Sequence, residues 1–438
     1  MRAAEVAQEA RVAVVGGGLA GLSAAAFAAR AGARVTLFER LTETGGRART
    51  RVDDGFAFNM GPHALYLQGP AIASLRELGI EPAGGSPPTS GGLAWLRGRL
   101  HALPGGTVSL MTTGLLGVAE KLELASLMTR VAKLAEQTGA SESVDEFLAR
   151  ELRHEGVREL LRGLVRLTSY SNMTDRMSAQ AALAQVALGL GPGVRYVDGG
   201  WSALVDALEA RAREAGVELR RGAKVERVVH DGRARGLELA GGERCAADAV
   251  ILTGGPDESS ALVDGGGHPF FARVRERAVP VRAACLDLGL EGLPSPKRLF
   301  ALGIDRPLYY SVHSAAAKLA PEGRATVCLA RYLGADERPG REELEADFHA
   351  LLDALQPGWR ERVVTRKLLR ELVVTHDLPQ AALGGLAGRT PGAVSGIANL
   401  YLAGDWIGPD GLLADASFAS ARAAARAAAG ADGVRVAA

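Results

Sequence analysis

The stretch RVAVVGGGLAGLSAAAFAARAGARVTLFE, residues 11–39, decides the fold. Arg11–Val15 is a short apolar, β-branched run. Gly16-Gly17-Gly18-Leu19-Ala20-Gly21 follows at once, then an Ala-rich helical pattern to about Arg30 and a second apolar run over Ala33–Phe38. Strand, glycine turn, helix and strand open a parallel sheet. In such a unit Gly16 permits the tight turn, Gly18 lets a pyrophosphate approach the backbone, and Gly21 lets helix and sheet pack closely. The free amides of Leu19, Ala20 and Gly21, with the helix dipole behind them, suit phosphate. Glu39 comes 23 positions after Gly16, where a carboxylate accepts hydrogen bonds from a ribose. These residues point to a bound dinucleotide and do not choose between its nicotinamide and flavin forms.

The residues further along make that choice. Thr44-Gly45-Gly46-Arg47-Ala48-Arg49-Thr50 resembles the second glycine signature of the flavoprotein superfamily of monoamine oxidase, protoporphyrinogen oxidase and phytoene desaturase. The physics agrees, since amides freed by Gly45-Gly46 and the guanidinium of Arg47 suit a doubly charged pyrophosphate. Phe58-Asn59-Met60-Gly61-Pro62-His63 resembles the segment beside the isoalloxazine ring, and Val197-Asp198-Gly199-Gly200-Trp201 the return of the chain to the nucleotide domain. Val225, in Lys224-Val225-Glu226, matches the valine whose backbone receives the adenine. Asn399-Leu400-Tyr401-Leu402-Ala403-Gly404-Asp405-Trp406 resembles the closing signature, whose Gly-Asp pair holds the ribityl and pyrophosphate region. The helix that starts near Leu412 and Leu413 would aim its positive end at the flavin's pyrimidine edge, where charge develops on reduction. The resemblance therefore implies FAD, held non-covalently in an extended pose. One position departs from the pattern: a basic residue often stands two places before the Gly-Gly pair, and here it is Glu43, so Arg40, Arg47 or Arg49 must do more.

At 438 residues the chain is too long for one ordinary core. The expected fold is α/β: a discontinuous Rossmann-type FAD-binding domain over residues 1–85, 200–265 and 385–438. An α+β substrate domain, with a mixed sheet, is inserted over 86–199 and 266–384, its helical part at about 104–195. Hydrophobic content of 47% and charged content of 23% are those of a globular protein. Net charge is +1, so no overall field draws nucleic acid. Cys245, Cys285 and Cys328 show neither disulfide nor zinc spacing, and no metal site is expected. Met1–Ala10 lacks the apolar stretch of a signal peptide, and no run reaches the ~18 apolar residues of a membrane span. The expected location is the cytoplasm, with peripheral membrane contact as an added feature.

A flavin carries the hard chemistry, so no nucleophile or triad is expected. Amine oxidases of the superfamily place an aromatic residue in the helix after Gly-Asp; the matching position here is Leu413, and aromatic content is only 5%. The reading is therefore an FAD-dependent desaturase or oxidase that takes hydride from a C–H bond of a mainly apolar small molecule and passes electrons to oxygen or a quinone. Oxidation of an amine or amino-acid-derived compound is the alternative, and a non-redox isomerase or prenyl carrier on the same scaffold is the rival. His63 is the candidate catalytic or orienting side chain, with a structural histidine as the plainer reading. Tyr170 and Asn172 are candidates to line the pocket, Asp175 and Arg176 for a helix cap and a surface pair, and Trp406 for packing on the flavin or the core. The run Leu103–Leu134, with Leu110, Met111, Leu115, Leu116, Leu122, Leu124, Leu127 and Met128, reads as a helical core or as a greasy surface.

Overall fold

The structure, a computed structural model, describes residues 9–430. The stretch Met1–Ala10 lies outside the described residues apart from Glu9 and Ala10.

Five parallel strands form the nucleotide sheet, in the order Glu218–Arg221, Arg34–Glu39, Arg11–Val15, Ala249–Leu252, Leu400–Leu402. Each central strand is apolar on both faces because both faces are covered. Val12 and Val14 join Leu22, Ala24, Ala25 and Ala28 of helix Leu19–Arg30 and Phe418, Ala421 and Ala425 of helix Leu413–Ala428. The alanines leave little bulk between these helices, which lets them pack closely. Ala13, between the two valines, faces the opposite core with Phe38, Val225, Phe270 and Phe271. The small antiparallel sheet that starts at Val225–His230 lies on that second side.

A second, seven-stranded sheet has the order Val363–Thr375, Val281–Leu290, Ala325–Leu333, Leu308–Val312, Phe300–Gly303, Leu93–Leu96, Arg99–Ala102. It is antiparallel except where Phe300–Gly303 meets Leu93–Leu96. Alternation along Val281–Leu290 divides its two faces. Ala284, Leu286, Leu288 and Leu290 pack with Leu344, Phe348 and Leu351 of helix Arg341–Leu355. Val281, Ala283 and Cys285 point the other way, into the core made by helices Val118–Gln137, Glu155–Ser169 and Ala179–Leu190.

The chain after Gly69 forms the helix Pro70–Glu77. Gly84–Gly85 is a short strand paired with Val197 and Tyr196. Gly84 is required there: its φ is +136°, and a Cβ would come 2.0 Å from the Tyr196 carbonyl oxygen.

Candidate active site

Two glycine turns stack to make the phosphate cradle. The Gly16 amide donates to the Phe38 carbonyl at 2.8 Å, and the Gly45 amide donates to the Gly17 carbonyl at 2.7 Å. Gly45 and Gly46 are left-handed, at φ +112° and +54°. Gly21 is pressed against the first turn, where a Cβ would come 1.8 Å from the Gly16 oxygen, whereas a Cβ on Gly18 meets nothing within 4 Å. Helix Leu19–Arg30 begins at Gly18 with no side-chain cap. Its first amides therefore face the open side of the turn, an anion-binding arrangement that fits a pyrophosphate. Glu39 is buried, its carboxylate accepting from the Gly17 and Leu41 amides at 2.7 and 2.8 Å. Arg40 is exposed beside it, and the Ala223 amide donates to the Glu39 carbonyl, which brings Val225 to the same end of the sheet.

Arg47 has a destination that the sequence does not reveal. Its guanidinium lies 2.7 Å from Asp405 and donates to the Val374 carbonyl at 2.7 Å. The expectation placed it over a pyrophosphate; here it joins the second glycine turn to the closing signature. Asp405 is 3% exposed. Burial alone would raise its carboxyl, but Arg47 and His376, whose Nδ1 is 3.0 Å away, hold it well below the usual range. Buried Arg389 donates to the carbonyls of Asp405, Gly408 and Gly411 and so fixes the loop leading into the last helix. Gly404 donates to Ser420 Oγ at 2.9 Å.

Trp406 belongs to the core, 1% exposed, with its indole N–H on the Gly254 carbonyl. Leu412 is buried and caps the final helix without a side-chain bond. Leu413 is left-handed at φ +55°, a conformation that strains a non-glycine residue by about 1 kcal/mol or more. Such strain at a helix start marks a position whose shape is imposed by its surroundings.

Gly61, Pro62 and His63 lie on the inner face of the seven-stranded sheet. A Cβ on Gly61 would come 3.0 Å from Cys285 Sγ, and the Pro62 carbonyl accepts from the Tyr170 hydroxyl at 2.8 Å. His63 Nδ1 is 2.9 Å from the Gly61 carbonyl, so Nδ1 carries the proton, and the Arg47 backbone carbonyl also lies close to the ring. Burial, aided by the charge of Arg47, pushes this imidazole down to about 4, so it is neutral at physiological pH. Asn172 is half-buried, and its side-chain carbonyl oxygen accepts from Arg166 Nε at 2.9 Å. Asp175 and Arg176 form an exposed pair at 3.8 Å, but Ser178 caps the following helix.

Sequence reasoning missed the company around Tyr170. Tyr332 meets it edge-on at 5.9 Å, and Tyr66 and Tyr196 are near enough to oppose its ionisation. Tyr309 joins Tyr196 through their hydroxyls at 3.3 Å. Five of the seven tyrosines thus gather around one site; a strand pattern over Leu308–Val312, followed by His313, was the available signal. Among the described residues no cluster suited to a metal ion occurs, and no helix is long and apolar enough to cross a membrane.

Comparison with known proteins agrees with this geometry. The chain is 30% identical over 283 residues to a zeta-carotene-forming phytoene desaturase of Myxococcus xanthus, a match covering 55% of this chain and 52% of that one. It is 30% identical over 293 residues to a hydroxyneurosporene desaturase of Rubrivivax gelatinosus, covering 58% and 54%. The chain therefore spans about half the length of these curated relatives. An oxidoreductase from Methanosarcina mazei shares the fold, with a TM-score of 0.75 at 18% identity, over 94% of this chain and 99% of that one. Residues 19–290 match the flavin containing amine oxidoreductases. A stretch of that extent, bounded by a cradle with room above Gly18, makes this chain a member of the flavin containing amine oxidoreductase family.

Proposed function

We propose that the chain binds FAD non-covalently and removes hydride from a C–H bond of a mainly apolar small molecule, leaving a double bond. The observation that carries this reading is the apolar setting of the last helix's start. Leu412 and Leu413 share one core with Cys285, Leu302, Leu372, Tyr309 and Tyr332. When bound, the flavin supplies a hydride acceptor. The amides of Leu19, Ala20 and Gly21 would hold its pyrophosphate, with Gly16, Gly18, Gly45 and Gly46 shaping the turn; Glu39 and Arg40 would hold the ribose and Val225 the adenine. Gly404 and Asp405, steadied by Arg47, would hold the ribityl chain, and Gly61, Pro62 and His63 would flank the ring. Leu412 and Leu413 keep water from the reacting carbon, which protects the hydride from side reactions. His63 orients the substrate, or accepts a proton, through its imidazole. The electrons leave to oxygen or a quinone.

Such a substrate dissolves in lipid. Val108, Met111, Val118 and Leu122 stand 77%, 69%, 78% and 70% exposed on helices Thr107–Thr112 and Val118–Gln137. This patch would rest a cytoplasmic protein on a membrane surface and receive substrate from it. Sedimentation with phospholipid vesicles tests the contact, which should be lost when all four residues become Ser.

Anaerobic mixing with phytoene or neurosporene in detergent micelles tests the main reading. Flavin absorbance should bleach while the polyene absorbance moves to longer wavelength. A colourless protein that takes up no FAD overturns it. The edge-on pair Tyr170–Tyr332 favours a second reading, oxidation of an amine. Bleaching by amines alone would establish that reading instead.

A further inference from the structure

One row of side chains crosses the inner face of the seven-stranded sheet and is more polar than its surroundings require. The cross-strand partners are Ser311 with Cys328, Cys328 with Asp287, and Asp287 with Lys367. Directly opposed residues point to the same face, so the four form a continuous line. Ser311, Cys328 and Asp287 are buried, at 2%, 6% and 1% exposure. Lys367 is half-buried and lines a polar cleft of about 590 Å³, together with Arg51, Met60 and Asp206.

Asp287 is the anomaly in this row. The Cys328 thiol is close enough to steady its charged form, yet neither carboxylate oxygen holds a hydrogen bond of normal geometry. Burial pushes its carboxyl up to about 7, against the pull of Cys328 and Lys367, so both protonation states exist near neutrality. A buried carboxyl without a structural partner is expensive to keep and is rare unless it has work to do.

The other end of the row continues toward the flavin-side segment. Ser311 Oγ is 3.1 Å from the Tyr196 hydroxyl, which is 3.3 Å from the Tyr309 hydroxyl, which is 3.0 Å from His313 Nε2. His313 is stacked on Tyr196 at 4.0 Å and lies in the field of His63. These three links share three hydroxyl protons and one imidazole proton, so either polarity of the chain is fully bonded. With all bonds pointing away from His313, a proton arriving at its Nδ1 displaces one from Nε2, and each hydroxyl passes its proton on. The chain then stands reversed, and one proton has left from Ser311 toward Cys328 and Asp287.

We propose that His313, Tyr309, Tyr196, Ser311, Cys328 and Asp287 form a proton path from the flavin-side histidines to the solvent cleft at Lys367. The path rests on the dehydrogenation reading. There, a substrate losing two hydrogens gives one as hydride, with both electrons, to the flavin. The other leaves as a proton that the path carries to the Asp287 carboxylate and then to water. The electrons go on to the same oxygen or quinone acceptor. These residues act through others and are positioning residues.

The test is infrared difference spectroscopy of the flavin-loaded protein while its flavin is photoreduced with EDTA as donor. A carboxyl C=O band should change as reduction draws protons through the path, and Asp287→Asn should abolish it. Tyr309→Phe removes one oxygen from the chain and should slow that change on the order of tenfold or more, with flavin content unaltered. Should Asp287→Asn not fold, Tyr309→Phe and Cys328→Ala carry the test in its place. No carboxyl change in the wild type, a band that survives Asp287→Asn, or unaltered timing in Tyr309→Phe overturns the path alone. A protein that takes up no flavin overturns the proposed function itself, and the path with it.

Discussion

The guanidinium of Arg47 lies 2.7 Å from the carboxylate of Asp405, so a turn near the start of the chain and a signature near its end share one ion pair. Asp405 is buried while Arg47 keeps one side in water, at 42% exposure. Removing Arg47 leaves a buried charge answered by His376 and, from farther off, by Arg389. Arg47→Ala should destabilise the protein by about 2 kcal/mol, less than for a fully buried pair because solvent reaches the guanidinium. Because the Asp405 carboxyl is held below its unfolded value, its contribution is whole above about pH 4 and is lost as pH falls further. Urea unfolding of both forms at pH 7 and pH 3.5 checks this. A gap between them that widens on acidification would contradict the assignment.

Gly18 and Gly21 should fail in different ways. A methyl group on Gly21 would collide with the Gly16 carbonyl, so Gly21→Ala should cost about 3 kcal/mol or prevent folding. A methyl group on Gly18 meets only open space, and its φ of −79° suits any residue. Gly18→Ala should therefore fold with stability within about 0.5 kcal/mol of wild type, yet be purified with far less flavin. Thermal melting and the ratio of flavin to protein absorbance separate the two effects. Equal flavin content in wild type and Gly18→Ala would show that the pyrophosphate does not sit there.

Asp415 serves two helices at once. It stands in the first turn of Leu413–Ala428, and its Oδ1 accepts from the Ala71 amide at the start of Pro70–Glu77. That second helix begins at Gly69, which offers no side-chain cap. Burial pushes the Asp415 carboxyl up to about 6, partly offset by the Ala71 amide. The folded state thus favours the protonated acid, and stability falls as pH rises from about 4 to 6 and stays lower above that. Asp415→Asn keeps the acceptor for Ala71 and cannot ionise. It should raise stability at pH 8 by about 2–3 kcal/mol and leave it unchanged at pH 4. Melting curves at the two pH values decide the matter.

That shared cap also shows what sequence could and could not carry. The glycine turns were legible because each glycine answers a local demand of backbone geometry. Pro70–Glu77 was not, since the residue that starts it comes from another helix. Arg47 reads from the sequence as a cation for the pyrophosphate, but a guanidinium suits a carboxylate as well as a phosphate, and Asp405 is far away along the chain. The tyrosines around Tyr170 were hidden by a low aromatic fraction averaged over 438 residues. Pairing of Leu308–Val312 with Ala325–Leu333 turns Tyr309 to the inner face, where its hydroxyl meets that of Tyr196 from another sheet. Asp287 gave no sign at all, because a single Asp in an apolar strand looks like an outward-facing residue until both faces are seen to be covered.

His63 offers the clearest division between orientation and chemistry. Its Nδ1–H is fixed by the Gly61 carbonyl and the Arg47 carbonyl lies close to the ring, which leaves Nε2 as the nitrogen to meet a substrate. An Asn side chain places its amide nitrogen near the position of Nδ1, whereas a Gln places its own near Nε2. If the residue only holds the 61–63 segment, His63→Asn should keep flavin content and most of the reduction rate. If Nε2 orients the substrate, His63→Gln should keep more of the rate than His63→Asn. If Nε2 accepts a proton, both variants should lose roughly 100-fold or more in flavin reduction while binding substrate normally. The pH profile adds an independent reading. With the imidazole held down to about 4, burial first and Arg47 second, protonation of His63 should lower the rate only below about pH 5, apart from any change near pH 7 that belongs to Asp287. A fall through pH 6.5 that survives Asp287→Asn would mean that His63 titrates as a solvated imidazole, and the buried position assigned to it would be wrong.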